Sequence, residues 1–376
     1  MRHGRGLTLT VSVIAVCGLA VGCGGNKAKT PAAKPPSKNV KSAAPVWTLP
    51  SHSPSDVASY WTPARMARAK PYPLVRAGAP KKPKAQPQAA AAGQVLTIAP
   101  ALPQNANAPA PKTQPSPTSA KVASGTYPYP FRRYVWRGAE TRLPARTIGK
   151  IFFDEDGEPY VCSGSVVNSN NKSVVWTAGH CVIKGGSGNG WHENWIFVPA
   201  FRPSGACSES DNGARCPYGQ WIPRDGRSMF TTTAWASRGG LGYDVAAVVV
   251  APKDGTSIVN RLGGQGITFN RSPREFFRDF GYPEQAPFYS NLFVCEAATQ
   301  GFDHPDTDDN QTTLGIGCDM TGGASGGPWV IGARGPSGLG WVNSVNSYKY
   351  NSQPAAMYGP YLGTAAMQVF QAAEGY

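Results

Sequence analysis

Proline and positive charge are crowded into one part of this chain, and that crowding limits what can fold. Of 35 prolines, 18 lie between Gly24 and Gly125, together with 14 Lys and Arg against the single acid Asp56. Proline removes a backbone donor and fixes φ, and a like-charged stretch repels itself, so this region cannot hold a core of its own. From Thr147 to Tyr376 the balance reverses, with 15 basic against 20 acidic residues. One globular domain over all 376 residues is therefore excluded, and the C-terminal stretch is long enough for a sizeable core. The formal charge of +14 sits mostly outside that stretch, so it gives no ground for a nucleic-acid partner.

Arg2, His3 and Arg5 precede an apolar run from Leu7 to Ala20, the layout of an export signal over residues 1–22. The end of the run, Leu19-Ala-Val-Gly-Cys23, resembles the lipobox of bacterial lipoproteins, which implies lipidation at Cys23. The alternative is an ordinary signal with an incidental Cys. The expected location is accordingly outside the cell, either secreted or anchored on the extracellular face of the membrane. No later apolar run is long enough to span a bilayer.

Residues 23–125 read as an extended, disordered tether or pro-region, with lysines that serve solubility or attract anionic cell-wall polymer. One island differs. Thr62 and Pro63 form an N-cap and first-turn pair, which predicts a short helix near 62–70. Tyr60, Trp61 and Met66 are too apolar for a bare linker. Such an island docks on something, either the chain's own globular domain, as a pro-region that covers it or helps it fold, or a separate partner. Residues 126–146 connect the tether to the domain at 147–376.

Six cysteines remain beyond Cys17 and Cys23, and none forms a Cys-x-x-Cys pair, which argues against structural zinc. An even number behind an export signal reads as three disulfides, and proximity suggests Cys162–Cys181, Cys207–Cys216 and Cys295–Cys318. The segments between them read as β. Ser165-Val-Val167 and Ser173-Val-Val-Trp-Thr177 flank a turn at Asn168–Asn171, and Asp244–Val250 and Trp341–Tyr348 have similar character. Only the C-terminus reads as helix, with Thr364 as cap, Ala365–Ala373 as body and Gly375 as stop.

Three separated segments carry chemistry. Val175-Trp-Thr-Ala-Gly-His180-Cys181 delivers a His after an apolar strand. Gly242-Tyr-Asp244 places a carboxylate at the mouth of a buried strand, and Thr321-Gly-Gly-Ala-Ser325-Gly-Gly-Pro328 exposes a Ser between glycines. Alone, each is commonplace. In the order His, Asp, Ser they match the base, orienting acid and nucleophile of acyl transfer.

With those motifs on the page, the domain resembles chymotrypsin-fold serine endopeptidases. Ile148-Gly-Lys-Ile-Phe-Phe153 and Tyr358-Gly-Pro-Tyr361 are similar to secreted trypsin-like peptidases of actinobacteria, and Tyr60-Trp-Thr-Pro-Ala-Arg-Met66 to their pro-regions. The resemblance implies an all-β fold of two six-stranded antiparallel barrels with a C-terminal helix, and Cys162–Cys181 as the disulfide beside the histidine. It implies catalysis by His180, Asp244 and Ser325, an oxyanion hole from the amides of Gly323 and Ser325, and a monomer acting on protein or peptide without metal or organic cofactor.

The sequence departs from trypsin at Ala324, where trypsin has the Asp that pairs with a new N-terminus, so that route of activation is excluded. Asp319 lies six residues before Ser325, the spacing of the trypsin carboxylate that selects Lys and Arg, and is otherwise a turn residue. Ser344, Val345 and Asn346 are spaced like the strand beside that pocket. Asp303, Asp306, Asp308 and Asp309 lack the Gly and Glu of a calcium loop, and His192 and His304 do not compete with His180 as base. The competing function is a peptidase-like domain that has lost catalysis and serves as a surface scaffold.

Overall fold

The computed structural model describes residues 45–47, 54–73, 75–81, 94–104, 123–125, 128–136, 141–204, 215–306, 311–333 and 337–376. Cys23 and the signal lie outside the described residues, as do Cys207, Asp308 and Asp309. Strands dominate, in two sheets. The first runs in the order Pro45–Trp47, Met229–Thr232, Ala246–Val249, Val174–Thr177, Glu158–Val167, Ile148–Glu155 and Glu193–Pro199. An eighth strand, Lys70–Pro71, pairs with Glu158–Val167.

The second sheet runs Val75–Arg76, Tyr348–Tyr350, Gln353–Pro360, Thr313–Gly317, Phe293–Asp303, Phe276–Gly281, Pro328–Ile331, Trp341–Val345, Gly266–Phe269 and Leu96–Ile98. Phe131–Val135 pairs with Phe293–Asp303, and Ala123–Gly125 with Phe131–Val135, giving twelve strands. Pairing is antiparallel except at three places: Gly266–Phe269 with Trp341–Val345, and the two short N-terminal strands Lys70–Pro71 and Val75–Arg76. The first sheet has the six expected strands of the C-terminal region. The second sheet takes eight strands from that region, and strands from before residue 147 add two to the first sheet and four to the second, because open strand edges accept further strands.

The expected hairpin forms, with Glu158–Val167 and Val174–Thr177 paired antiparallel and Lys172 at φ 58° in the turn between them. The Trp341–Tyr348 run is broken instead, at Asn346 and Ser347, into two strands. At the C-terminus, helix Thr364–Glu374 is capped by the backbone of Gly363, and Thr364 is its first helical residue, not its cap. The helix buries Ala366, Val369, Phe370 and Ala373, one stripe at helical spacing, against strands Met229–Thr232 and Ala246–Val249.

The island near Trp61 is ordered. Helix Pro63–Arg68 has Thr62 at its N-cap, whose Oγ1 accepts the Arg65 N–H, and Met66 is buried. A second short helix, Pro54–Tyr60, precedes it. Val57, Trp61 and Met66 all join a core cluster that draws on both sheets.

Candidate active site

Strand Val174–Thr177 leads into a tight turn at Gly179–Cys181, and Cys181 is bonded to Cys162 on the neighbouring strand. Three ring donors hold the chain here. His192 Nε2 donates to the His180 carbonyl, Trp195 Nε1 to that of Cys181 and Trp235 Nε1 to that of Ile183, each at 3.0 Å. His192 stacks on Phe153 with ring centroids 4.3 Å apart, and burial pushes its imidazole down to about 4. It is therefore a neutral strut near pH 7.

Asp244 follows the turn Leu241–Tyr243 and is fully buried. Its Oδ1 accepts the His180 backbone N–H at 2.8 Å, and its Oδ2 lies 2.7 Å from His180 Nδ1. An ionised carboxylate only accepts, so Nδ1 carries the proton and Nε2 keeps its lone pair. Ser347 Oγ also donates to Oδ2, at 2.6 Å. Ser347 escaped the sequence reading. The only signal was a second Ser three residues after Ser344, and the strand break decides which of the two turns toward the carboxylate.

Ser325 sits in the loop before strand Pro328–Ile331 and is fully buried. Ser163, on strand Glu158–Val167, ties this loop to the first sheet. Its N–H donates to the Ser325 carbonyl at 2.6 Å, and its Oγ donates to the Gly323 carbonyl and accepts the Tyr282 N–H, both at 2.9 Å. The Gly322 carbonyl accepts the Glu284 N–H at 2.9 Å. In a planar trans peptide the Gly323 N–H then points to the opposite side. Gly323 has φ 96°, and a Cβ there would come within 2.7 Å of the Tyr282 carbonyl oxygen, so only glycine fits. Ser325 Oγ and His180 Nε2 are both buried without a hydrogen-bond partner among the described residues, and so are not bonded to each other.

The residues expected around a specificity pocket have the following partners. Asp319 Oδ1 lies 3.4 Å from Arg133 Nε of the connecting segment. Ser344 Oγ donates to the Pro360 carbonyl, and Asn346 Nδ2 donates to Asp279 and to the Ala324 carbonyl. Of the acidic loop, Asp303 is buried and accepts from Tyr348, Tyr350 and the Lys81 N–H, while Asp306 accepts the Leu241 N–H. Cys295–Cys318 pairs as expected, and Cys216 is disulfide-bonded.

Solved structures carry the same architecture. Protease Anisep from Arthrobacter nicotinovorans matches at 38% identity with a TM-score of 0.53, over 63% of this chain and 99% of that one. This chain belongs to the chymotrypsin-fold serine proteases. A second member, the thermostable serine protease AL20 from an extremophilic microorganism, matches at 35% identity with a TM-score of 0.52, over 61% of this chain and 97% of the other. No protein-family model matches the chain, and no curated protein does. More than a third of this serine protease chain lies outside either match.

Proposed function

We propose that the protein is an exported serine endopeptidase that hydrolyses peptide bonds through Ser325, His180 and Asp244. The observation that carries this reading is the chain from Ser347 through Asp244 to His180, which fixes one imidazole tautomer and leaves Nε2 a free base beside the serine loop. Ser325 Oγ attacks the scissile carbonyl carbon, and its proton passes to Nε2. The developing oxyanion accepts from the amides of Gly323 and Ser325. Collapse breaks the C–N bond as the imidazolium returns the proton to the leaving amine, and water then releases the acyl group by the same steps. Asp244 stabilises the imidazolium and holds its orientation.

The substrate class is protein or peptide, acted on by a monomer outside the cell. The disulfides Cys162–Cys181 and Cys295–Cys318 support the oxidising compartment. Anchoring through lipid at Cys23 completes the proposed location. A fluorophosphonate probe tests the chemistry: the processed protein should label on Ser325, and Ser325→Ala should not. Absence of label on the processed wild type would leave the scaffold reading in its place.

A further inference from the structure

In the full chain the site is not open to solvent. His180 is 5% exposed and Ser325 is 0% exposed. What covers them comes from the N-terminal region. Strand Lys70–Pro71 pairs with Tyr160 and Val161 of the first sheet, and the Tyr72 N–H donates to the Val161 carbonyl at 3.2 Å. Strand Val75–Arg76 pairs with Lys349 and Tyr350 of the second sheet, directly after Ser347, and the Arg76 carbonyl accepts the Asn351 N–H at 3.0 Å. After the first anchor, Tyr72 lies over the base and beside the serine loop. The Tyr72 ring stacks on the His180 imidazole, with centroids 5.5 Å apart and planes 16° apart. On the serine side, a Cβ on Gly322 would lie 2.9 Å from Pro71 Cβ and 3.3 Å from the Tyr72 carbonyl oxygen.

We propose that Lys70–Pro73 and Val75–Arg76 form a built-in blocking segment: they occupy the cleft where an extended peptide substrate would add to the two strand edges, with Tyr72 seated on the base. The segment uses the same recognition a substrate would use, main-chain pairing to open edges. Pro71 and Pro73 flank Tyr72 and hold it extended at small entropic cost. The clamp that keeps it in place is the helical island just before it. Trp61 is 2% exposed, donates its indole N–H to the Asn194 carbonyl and packs on Phe152 with ring centroids 5.4 Å apart. Residues 54–76 thus form one device, an apolar anchor followed by a strap, and the chain is held inactive until the strap is cut or displaced.

This inference rests on the peptidase reading, and two readouts on the unprocessed full chain separate them. One is the rate of fluorophosphonate labelling at Ser325. The other is carbethoxylation of His180 by diethyl pyrocarbonate, read by mass spectrometry, which needs no catalysis and can be repeated in Ser325→Ala. Wild type should react slowly in both. Tyr72→Ala, at a half-buried position, should raise both rates at least tenfold, and Trp61→Ala, which loosens the anchor, should do the same to a smaller extent. Equal rates of His180 modification in wild type and both variants would overturn the blocking segment. A faster His180 reaction without any Ser325 labelling would uphold the segment and overturn the peptidase.

Discussion

Asp244 and Ser163 are the two side chains on which the geometry of the site converges. Asp244 orients the His180 ring with one oxygen and the His180 backbone with the other, and Ser347 fixes the oxygen that faces the ring. Removing that hydroxyl leaves a buried carboxylate short of one donor, a loss of about 1.5–3 kcal/mol for a bond to a charged group. Ser347→Ala should therefore lower kcat of the processed enzyme about 10- to 100-fold with little change in KM, and steady-state kinetics on a peptide substrate would measure it. Ser163 is different, because its hydroxyl holds the Gly323 carbonyl and so the peptide units of the proposed oxyanion hole. Ser163→Ala should reduce kcat by a similar factor, while Ser163→Thr, if it keeps the hydroxyl bonds, should recover part of it. Neither residue stands out in the sequence. Their partners lie 103 and 160 positions away, and no local pattern records such a bond.

At the level of elements, the histidine turn is held by a disulfide and by three ring donors. The Cys162–Cys181 bond closes a loop with a sequence separation of 19. By the chain-entropy relation, losing it costs about 3 kcal/mol. The double variant Cys162→Ala, Cys181→Ala should show that loss in urea unfolding, and an unchanged midpoint would mean that the ring donors alone hold the turn. The C-terminal helix makes a second case. Phe370 is buried among Trp176 and Phe269. Phe370→Ala should cost about 3–5 kcal/mol in stability while leaving KM unchanged. The helix and the Thr62-Pro63 turn were both legible because caps and spacing are local. The cap at Gly363 was not, since Thr364 has a suitable side chain and only the backbone shows that it is already helical.

At the scale of the whole molecule, one buried group contributes a defined share of the pH dependence of stability. His192 titrates near 4 because burial disfavours its charged form, with the hydrogen bond to the His180 carbonyl and the Glu155 charge raising the value and the His180 and Lys184 charges lowering it. The unfolded chain takes up the same proton near the ordinary value of 6.5. The unfolded state therefore binds more protons between these values. Stability is full above about pH 6.5 and is lost as pH falls through 4. At 1.36 kcal/mol per unit the loss is about 3 kcal/mol. His192→Gln removes the titration and keeps a side-chain donor for the His180 carbonyl. Its melting temperature should fall less than that of wild type between pH 6.5 and 4. Parallel curves would assign the acid sensitivity to the carboxylates instead.

The division of the chain was written in composition. Eighteen prolines and a run of lysines forbid a core before Gly125, while β-branched runs, paired cysteines and three glycine-framed motifs specify a β domain and its reacting residues after Thr147. Those are properties of neighbours in sequence, so the fold class and the candidate reacting residues are readable from sequence alone. Tertiary structure decided which Ser meets Asp244, which carbonyls are clamped around His180, and that Asp319 faces Arg133 instead of standing free. It also decided the fate of the proline-rich region, whose short strands have too few local contacts to form alone. They take shape only on the open edges of two sheets that the rest of the chain provides.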